Sequence, residues 1–361
     1  MISWLNNRRY GPIGIDLGSR SVKLVQLSAD RSNLIDASRW DLPAQSTADS
    51  AKMSPEAIAK SQADLYSQAI EQALMGRAFK GREVVICLGD KQLSLQSVRV
   101  PRDEGAQLER SVLQETAGRL SYPITEAEVR FIPASDVRQG EQTLKEVIVF
   151  AVQKKVIDNT LAMLDALRLE PVAIDVEPAA LARAYSSQFR REDDLLQRAL
   201  VVHIGYSRSA VTITQGADLL FVKYIDIGGK DFDSAIARHL KMPLPEAQSL
   251  RKLSGDRRTD QQDPAVQRSI NDALRGVIDK LAGELSMCIR YHSVTFRGHP
   301  IARLVLGGGE ANPSLVEALS RQIDLACELC DPFRGIAGNS QPPRKSQWDI
   351  ATGLALREVQ P

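Results

Sequence analysis

Two stretches of the chain repeat one pattern of apolar and polar positions. Each has an aliphatic run, a short segment with Gly and with hydroxyl residues on both sides of an Arg, and a second aliphatic run. The first copy covers residues 14–25 and the second covers residues 201–213. Two apolar runs joined by a tight Gly-containing turn predict a β-hairpin. We therefore expect two hairpins, one at the start of each half of the chain.

The rest of the pattern predicts alternating strands and helices. Apolar residues at helical spacing predict a helix from residue 55 to about residue 75, and a short apolar run at 83–88 predicts a buried strand. A further α/β segment, 96–171, interrupts the first half, because residues 172–176 again have the texture of a core strand. Residues 232–299 are largely helical in pattern. The sequence thus predicts an α/β fold built from a duplicated unit, with an inserted subdomain in each half.

This organisation divides the chain into two lobes, each with a core and an insertion. A duplicated core places the two hairpins opposite each other across a cleft. The predicted segments are 1–95 plus 172–198 (first-lobe core), 96–171 (inserted partner-binding subdomain), 199–231 plus 300–361 (second-lobe core) and 232–299 (helical subdomain of the second lobe).

The composition is ordinary for a globular protein and excludes several functions. The chain has 46 Lys and Arg residues against 45 Asp and Glu residues, and a net charge of +1 gives no field that attracts nucleic acid. The longest apolar run, 147–152, is far shorter than the roughly 20 residues that a membrane-spanning helix needs. Four scattered cysteines form no disulfide framework. We therefore expect a cytoplasmic protein.

The turns of the two predicted hairpins carry the residue types of a phosphate clamp. Glycine lets backbone N–H groups approach a phosphate closely, and hydroxyl side chains add donors. In the first copy, Asp16 stands where a carboxylate can hold a magnesium ion or its water. The equivalent position in the second copy is His203. What the protein does with a nucleotide depends on this histidine.

Duplicated phosphate hairpins and a late Gly-Gly-Gly loop at 307–309 resemble the actin-like (ribonuclease H-like) ATPase superfamily. Four further segments are Gln-Ser-Val-Arg-Val-Pro at 96–101, Phe-Ala-Val-Gln-Lys-Lys at 150–155, Ile-Asp-Val-Glu-Pro-Ala-Ala-Leu-Ala-Arg-Ala at 174–184 and Ala-Thr-Gly-Leu-Ala-Leu-Arg at 351–357. These segments resemble the type IV pilus assembly protein PilM family, which lies on the branch of that superfamily that includes the division protein FtsA. They occur in the family's order over nearly the whole chain.

The resemblance implies an ATP site between the two hairpins, with magnesium beside Asp16. Adenosine would rest against the Gly-rich loop of the second half. Carried over by position, the implied nucleotide contacts are Gly18, Ser19, Arg20, Ser21, Gly205, Tyr206, Ser207, Gly228, Gly229, Gln248, Arg251, Gly307, Gly308 and Gly309.

The chain departs from the family pattern in two places. Active relatives carry Asp at the position of His203, and imidazole is a poor ligand for magnesium. His203 is then either a donor to a phosphate oxygen or a core histidine satisfied by a neighbour. In the helical subdomain, Gln248 and Arg251 stand where relatives carry Glu and Lys. These departures favour weak or absent ATPase activity and an altered nucleotide preference.

The resemblance implies a cytoplasmic scaffold of a type IV pilus or a related inner-membrane assembly platform. Such a scaffold would grip the cytoplasmic tail of a PilN-like inner-membrane protein in a groove beside 96–171. It would be peripheral to the inner membrane and would form a homo-oligomeric ring, with ATP as a structural or switching ligand. Whether the machine is a pilus, a secretion system or a competence apparatus stays open.

Three other functions compete with the scaffold. The first is an active ATPase that powers or gates the same assembly, and it lacks the second carboxylate. The second is a sugar or acid kinase, which needs a catalytic base that we do not recognise in the chain. The third is a filament-forming division protein, for which we expect a C-terminal amphipathic membrane helix that residues 1–361 do not contain. The scaffold is therefore our expectation.

Overall fold

The first hairpin forms as predicted and begins a five-stranded mixed sheet. Strands β1 (Tyr10–Leu17) and β2 (Ser21–Ser28) pair antiparallel, and β3 (Leu34–Asp41) pairs antiparallel with β2. On the other side of β1, strands β4 (Glu83–Leu88) and β8 (Glu170–Val176) run parallel to it. The strand order is β3-β2-β1-β4-β8.

The second hairpin builds a sheet of the same order. Strands β9 (Arg198–Ile204) and β10 (Ser209–Gln215) pair antiparallel, and β11 (Asp218–Ile225) follows β10. Strands β12 (Ile301–Gly307) and β13 (Ala326–Leu329) lie parallel on the other side of β9. The order β11-β10-β9-β12-β13 matches the first sheet strand for strand. The predicted duplication is confirmed.

The first half contains a third sheet within the segment that interrupts it. Strands β5 (Leu93–Pro101), β6 (Ala127–Gln139) and β7 (Gln142–Gln153) pair antiparallel in the order β5-β7-β6. Successive side chains of a strand point to opposite faces. Val149 of β7 accordingly packs in one cluster with Val112, while Phe150 packs in another with Leu219 of the second lobe.

The structure is a computed structural model. The residues that it describes are 9–43, 54–89, 92–189, 192–256, 263–296, 300–338 and 341–358. In these ranges the helices are α1 (Pro55–Leu74), α2 (Gly105–Ala117), α3 (Lys154–Ala166), α4 (Glu177–Ser186), α5 (Glu192–Leu196), α6 (Gly229–Leu240), α7 (Leu244–Asp256), α8 (Pro264–Thr295), α9 (Pro313–Ser320) and α10 (Asp349–Ala355), with 3₁₀ helices at Ile124–Glu126 and Lys345–Trp348.

Capping residues determine where several helices begin. The side chain of Ser54 accepts a hydrogen bond from the Ala57 N–H at the start of α1. Asn312 does the same for the Leu315 N–H at the start of α9, as its position before Pro313 predicts. Each cap is followed by Pro, whose fixed φ suits the first helical turn and which has no N–H to leave unsatisfied.

The boundaries of the four predicted segments stay a prediction. Helix α3 falls within the predicted insertion 96–171, yet its Leu164 packs in the core cluster of Ile13 and Ile86 from the first sheet. The outer parts of the predicted cores, 1–8 and 359–361, lie outside the described residues. No helix in the described ranges is long and apolar enough to cross a membrane.

Helix α10 holds the two lobes together at the base of the cleft. It contacts β1 and β2 of the first sheet and also helix α4. Two glycines allow this close packing, because a Cβ at Gly14 would overlap the Ala351 oxygen and a Cβ at Gly353 would overlap the Ala180 oxygen. The N-terminus of α10 thereby brings Asp349 next to the end of β9.

Candidate nucleotide cleft

A cleft with a volume of about 520 Å³ lies between the lobes, and the turns of both hairpins line it. Five predicted contacts do not line it: Gly228, Gly229, Gln248, Gly307 and Gly308. The predicted site residues that do line it are Asp16, Gly18, Ser19, Arg20, Ser21, Gly205, Tyr206, Ser207, Arg251 and Gly309.

The two hairpin turns have the same geometry around their glycines. A Cβ at Gly18 would lie 2.9 Å from the Ser21 oxygen, and a Cβ at Gly205 would lie 2.8 Å from the Arg208 oxygen. The Gly205 N–H donates to the Arg208 oxygen at 3.1 Å. Both turns therefore close tightly because no side chain stands at these positions.

Asp16, the predicted metal ligand, is bonded to a lysine. Asp16 and Lys23 are partners across the first hairpin, and Lys23 Nζ donates to Asp16 Oδ2 at 2.7 Å. Both side chains are buried and both line the cleft. Opposite charges attract strongly where water is scarce. The Lys23 ammonium thus neutralises the Asp16 carboxylate, as a bound metal ion would otherwise do.

His203 takes its partners from outside its own hairpin, where its cross-strand neighbour is Ala210. Its Nδ1 atom lies 2.8 Å from Asp349 Oδ2, and its Nε2 atom lies 3.8 Å from Glu177 Oε1. Gly307 makes room for the first contact, because a Cβ there would overlap Asp349 Oδ2. Gly307, a predicted nucleotide contact, therefore does not line the cleft but leaves the space in which Asp349 bonds to His203.

The carboxylates around His203 favour its charged form. Burial lowers the pKa, but the charge and hydrogen bond of Asp349 outweigh burial, and Glu177 and Asp16 add to the effect. The pKa of His203 is raised to about 9. At neutral pH the ring is an imidazolium, in which both nitrogens are donors. His203 is bonded to a neighbour and also lines the cleft, so it combines features of both interpretations from the sequence.

The remaining predicted glycines support the cleft rather than line it. Gly308 has a φ of +95°, and a Cβ there would overlap the Ile204 backbone. A Cβ at Gly228 would lie 2.6 Å from the Tyr206 oxygen, and one at Gly229 would lie 2.6 Å from Glu310 Cδ. These glycines allow the late loop and the start of α6 to pack against the second hairpin turn.

Gln248 and Arg251 both bond to Asp233, a fully buried carboxylate on α6. Arg251 Nε donates to Asp233 Oδ1 at 2.6 Å, and Arg251 Nη1 donates to Glu310 Oε2 at 2.5 Å. Gln248 Nε2 donates to Asp233 Oδ2 at 3.3 Å. Arg251 Nη2 is buried and has no hydrogen-bond partner among the described residues. Such donors are rare in folded proteins, and this one belongs to a residue of the cleft, so it is a candidate ligand contact.

Positive side chains predominate in the lining of the cleft. Eight Lys and Arg residues line it against four Asp and Glu residues, and His203 adds a further positive charge. A cleft with this balance attracts anions, and its glycine turns suit the phosphates of a nucleotide. The cations are Arg20, Lys23, Arg39, Arg208, Arg251, Lys252, Arg344 and Lys345.

The two hairpin turns touch each other across the cleft. The guanidinium carbon of Arg20 lies 4.1 Å from the centroid of the Tyr206 ring. A cation at this distance from an aromatic face contributes about 0.5–1 kcal/mol at an exposed site. Because Arg20 and Tyr206 belong to different lobes, the contact opposes opening of the cleft.

The residues of the cleft do not fit a magnesium ion. Magnesium requires oxygen ligands in near-octahedral geometry. Lys23 already neutralises Asp16, and the imidazolium of His203 stands where a second carboxylate is expected. In the part of the chain that the structure describes, no group of three or more His, Cys, Asp or Glu side chains is placed to hold a metal.

The fold and the cleft define a class of protein by its architecture, the proteins with an actin-like ATPase fold, in which two equivalent sheets face each other across a cleft. The chain is similar to a solved PilM-PilN type IV pilus biogenesis complex, with 23% identity and a TM-score of 0.77 over 98% of this chain and 100% of that chain. It is also similar to the ethanolamine utilization protein EutJ from Carboxydothermus hydrogenoformans, with 15% identity and a TM-score of 0.52 over 96% of this chain and 89% of that chain. At these identities the likeness shows the fold alone.

The family is given by the sequence. None of the curated proteins compared with the chain matches it. The family model of the type IV pilus assembly protein PilM matches residues 14–359, which is nearly the whole chain. The chain belongs to the type IV pilus assembly protein PilM family.

Proposed function

We propose that this protein is a cytoplasmic scaffold in the assembly of a type IV pilus or a related inner-membrane platform. It binds the cytoplasmic tail of a PilN-like inner-membrane protein, lies at the membrane through that partner and assembles as a ring. A nucleotide in the cleft acts as a structural or switching ligand. The observation that carries the proposal is the family match over residues 14–359.

The cleft supports the role given to the nucleotide. Its lining is rich in cations, its two turns are closed at glycines, and residues of both lobes line it. A ligand that contacts both lobes shifts the balance between open and closed arrangements by its difference in affinity for them. Hydrolysis is weak or absent in this proposal, because His203 stands where the expected carboxylate would orient a water.

The third sheet supports the role given to the membrane partner. Among the described strands, β5 and β6 each have a strand neighbour on one side, β7. An extended peptide can add to such an edge through main-chain hydrogen bonds, or lie in a groove beside it. The solved relative that contains PilN covers this region of the chain as well. We therefore place the tail beside the sheet β5-β7-β6.

Side-chain contacts between this sheet and the second lobe would allow the bound tail and the bound nucleotide to influence each other. Tyr291 of α8 donates to Glu146 of β7 at 3.2 Å, and its ring lies 5.6 Å from the ring of Phe221 on β11. Arg99 of β5 donates to the same Glu146 carboxylate at 2.8 Å. A shift of the second lobe relative to the third sheet must disturb these contacts.

Titration with a tail peptide tests the proposal. The probe is a fluorescent peptide with the cytoplasmic sequence of a PilN-like single-span protein from the same genome, and anisotropy measures its Kd. Arg130→Glu on β6 and Arg102→Glu after β5 change side chains that are 83% and 60% exposed beside the proposed groove. Each should weaken tail binding by about tenfold, or about 1.4 kcal/mol.

A matched charge reversal serves as the control. Arg275 on α8 is 73% exposed and pairs with a neighbouring Asp272, much as Arg130 pairs with Glu128. Arg275→Glu should leave the Kd of the tail unchanged. Tail binding that is equally strong in all three variants would show that the groove is placed wrongly. Absence of tail binding by the unchanged protein would contradict the scaffold itself.

A further inference from the structure

A basic nitrogen lies close to each turn glycine of the cleft. A Cβ at Gly18 would lie 3.8 Å from Lys23 Nζ, and a Cβ at Gly205 would lie 3.7 Å from His203 Nε2. The two side chains reach these places from different strands, Lys23 from the second strand of its hairpin and His203 from the first strand of its own. The two halves of the cleft are thus alike in charge although their sequences differ.

Both basic groups are fixed in place by a carboxylate, and both retain N–H donors that can bond to a ligand. Lys23 is held by Asp16, whose Oδ2 accepts a hydrogen bond from one of the three N–H donors on Nζ. His203 is held through Nδ1 by Asp349, while Glu177 lies 3.8 Å from its Nε2 atom, beyond hydrogen-bond distance. Lys23 and His203 are 5% and 7% exposed, and both line the cleft. They are buried cations aimed at the turns rather than mobile surface charges.

A divalent cation at this place would meet unfavourable charge. It would have to displace Lys23 from Asp16, or compete with the imidazolium of His203 for Glu177, which also lines the cleft. Like charges repel strongly in a site that excludes water. The nearby carboxylates Asp349 and Glu177 both flank His203 and favour its protonated form.

We propose that this cleft binds its nucleotide phosphates without a divalent metal, and that Lys23 and His203 supply the positive charge at the two turns. The inference rests on the nucleotide site of the proposed function and concerns how that site neutralises its ligand. Each cation lies at one of the two equivalent turns, so the phosphates bridge the lobes by contacting both.

Isothermal titration of the full chain with ATP, in excess EDTA and in excess magnesium chloride, tests the inference. ATP should bind at least as tightly in EDTA as in magnesium. Wild-type binding that is about tenfold tighter in magnesium would overturn the inference and leave the nucleotide site of the proposed function intact. No ATP binding in either buffer would contradict that site and the inference together.

Variants separate the two cations. Lys23→Met should weaken ATP binding in EDTA by about tenfold or more. Since this change leaves Asp16 buried without its partner, the double variant with Asp16→Asn is titrated as well. His203→Asp should bind weakly in EDTA and regain affinity in magnesium, because it restores a carboxylate. Arg275→Gln removes an exposed cation that does not line the cleft and should change neither value. Unchanged ATP affinity in all Lys23 and His203 variants would overturn the assignment.

A measurement on the unchanged protein gives an independent readout. Electron paramagnetic resonance detects free Mn²⁺ in a solution of Mn²⁺ and ATP, in which most of the metal is bound to the nucleotide. Added protein should raise the signal of free Mn²⁺, because the cleft takes ATP and leaves the metal in solution. A fall of that signal would mean that metal and nucleotide bind together, which overturns the inference.

Discussion

His203 Nδ1 lies 2.8 Å from Asp349 Oδ2, so the end of strand β9 is bonded to the first residue of helix α10. The two residues are 146 positions apart in the chain. Helix α10 also packs on strand β1 of the first lobe. The pair therefore connects the turn of the second hairpin to the helix that joins the lobes.

The free energy of unfolding should depend on pH because of the pair formed by His203 and Asp349. Because the folded-state pKa of His203 is about 9 and the ordinary value is 6.5, the folded protein binds more protons than the unfolded chain between these values. The stabilisation is complete below pH about 6.5 and is lost as the pH rises through 9. Each pKa unit corresponds to about 1.4 kcal/mol, so urea unfolding should show a loss on the order of 3 kcal/mol.

His203→Gln is the control for this dependence. Gln is a donor for Asp349 and does not titrate, so the variant should lose the fall in unfolding free energy between pH 6.5 and 9. An equally steep fall in this variant would assign the pH dependence to another group.

Substitution in the late glycine loop should separate a structural glycine from a tolerant one. Gly308→Ala places a Cβ against the Ile204 backbone at a φ of +95°, which should cost at least about 1–3 kcal/mol and weaken ATP binding. At Gly309 a Cβ would have no neighbour within 4 Å among the described residues, so Gly309→Ala should leave stability nearly unchanged. Thermal unfolding of both variants, with ATP titration, measures the difference. Equal stability of the two would contradict the close packing of Gly308 against the Ile204 backbone.

Arg251 should stabilise the helical subdomain as well as face the cleft. Arg251→Met leaves Asp233 buried without its cation, a change that costs about 3–5 kcal/mol in other buried pairs. Arg251→Lys keeps the charge but lacks the forked guanidinium that reaches both Asp233 and Glu310, so its loss should be smaller. Urea unfolding of the two variants gives the comparison. A Met variant as stable as the unchanged protein would show that the pair contributes nothing.

Loss of the contact between Arg20 and Tyr206 should favour the open cleft. Tyr206→Leu removes the aromatic face, whereas Tyr206→Phe keeps it and serves as the control. At about 0.5–1 kcal/mol, the contact changes the ratio of closed to open molecules by roughly two- to fivefold. Pulsed electron resonance between spin labels at exposed positions 64 and 321, one in each lobe, measures the distances. Identical distributions for the Leu and Phe variants would contradict a role for the ring.

Local patterns were sufficient to predict the two hairpins and the duplication. The apolar runs and the glycine turn of each hairpin lie within one short segment, residues 14–25 or 201–213. They can therefore be recognised without knowledge of any distant contact. The partner of Asp16 could also have been predicted. Closing the first hairpin at the turn around Gly18 places Lys23 opposite Asp16, and opposite charges at such positions attract.

Other parts of the site carry no local signal. Asp349 reaches His203 because α10 packs across both lobes, and Glu177 does so because α4 starts at the end of β8. Gly228, Gly229, Gly307 and Gly308 occupy positions that family resemblance assigns to nucleotide contacts. Their role in packing becomes visible once the atoms that a side chain would strike are known.

The most direct test of a switching scaffold is whether the cleft and the tail of the proposed membrane partner influence each other. The Kd of the tail peptide is measured by anisotropy in EDTA, without ATP and with saturating ATP. A switching scaffold predicts that ATP changes this Kd several-fold, and that the tail changes the Kd of ATP by the same factor, since coupling between binding sites is reciprocal. The same Kd with and without ATP, for a protein that binds both ligands, would contradict a switching role of the nucleotide.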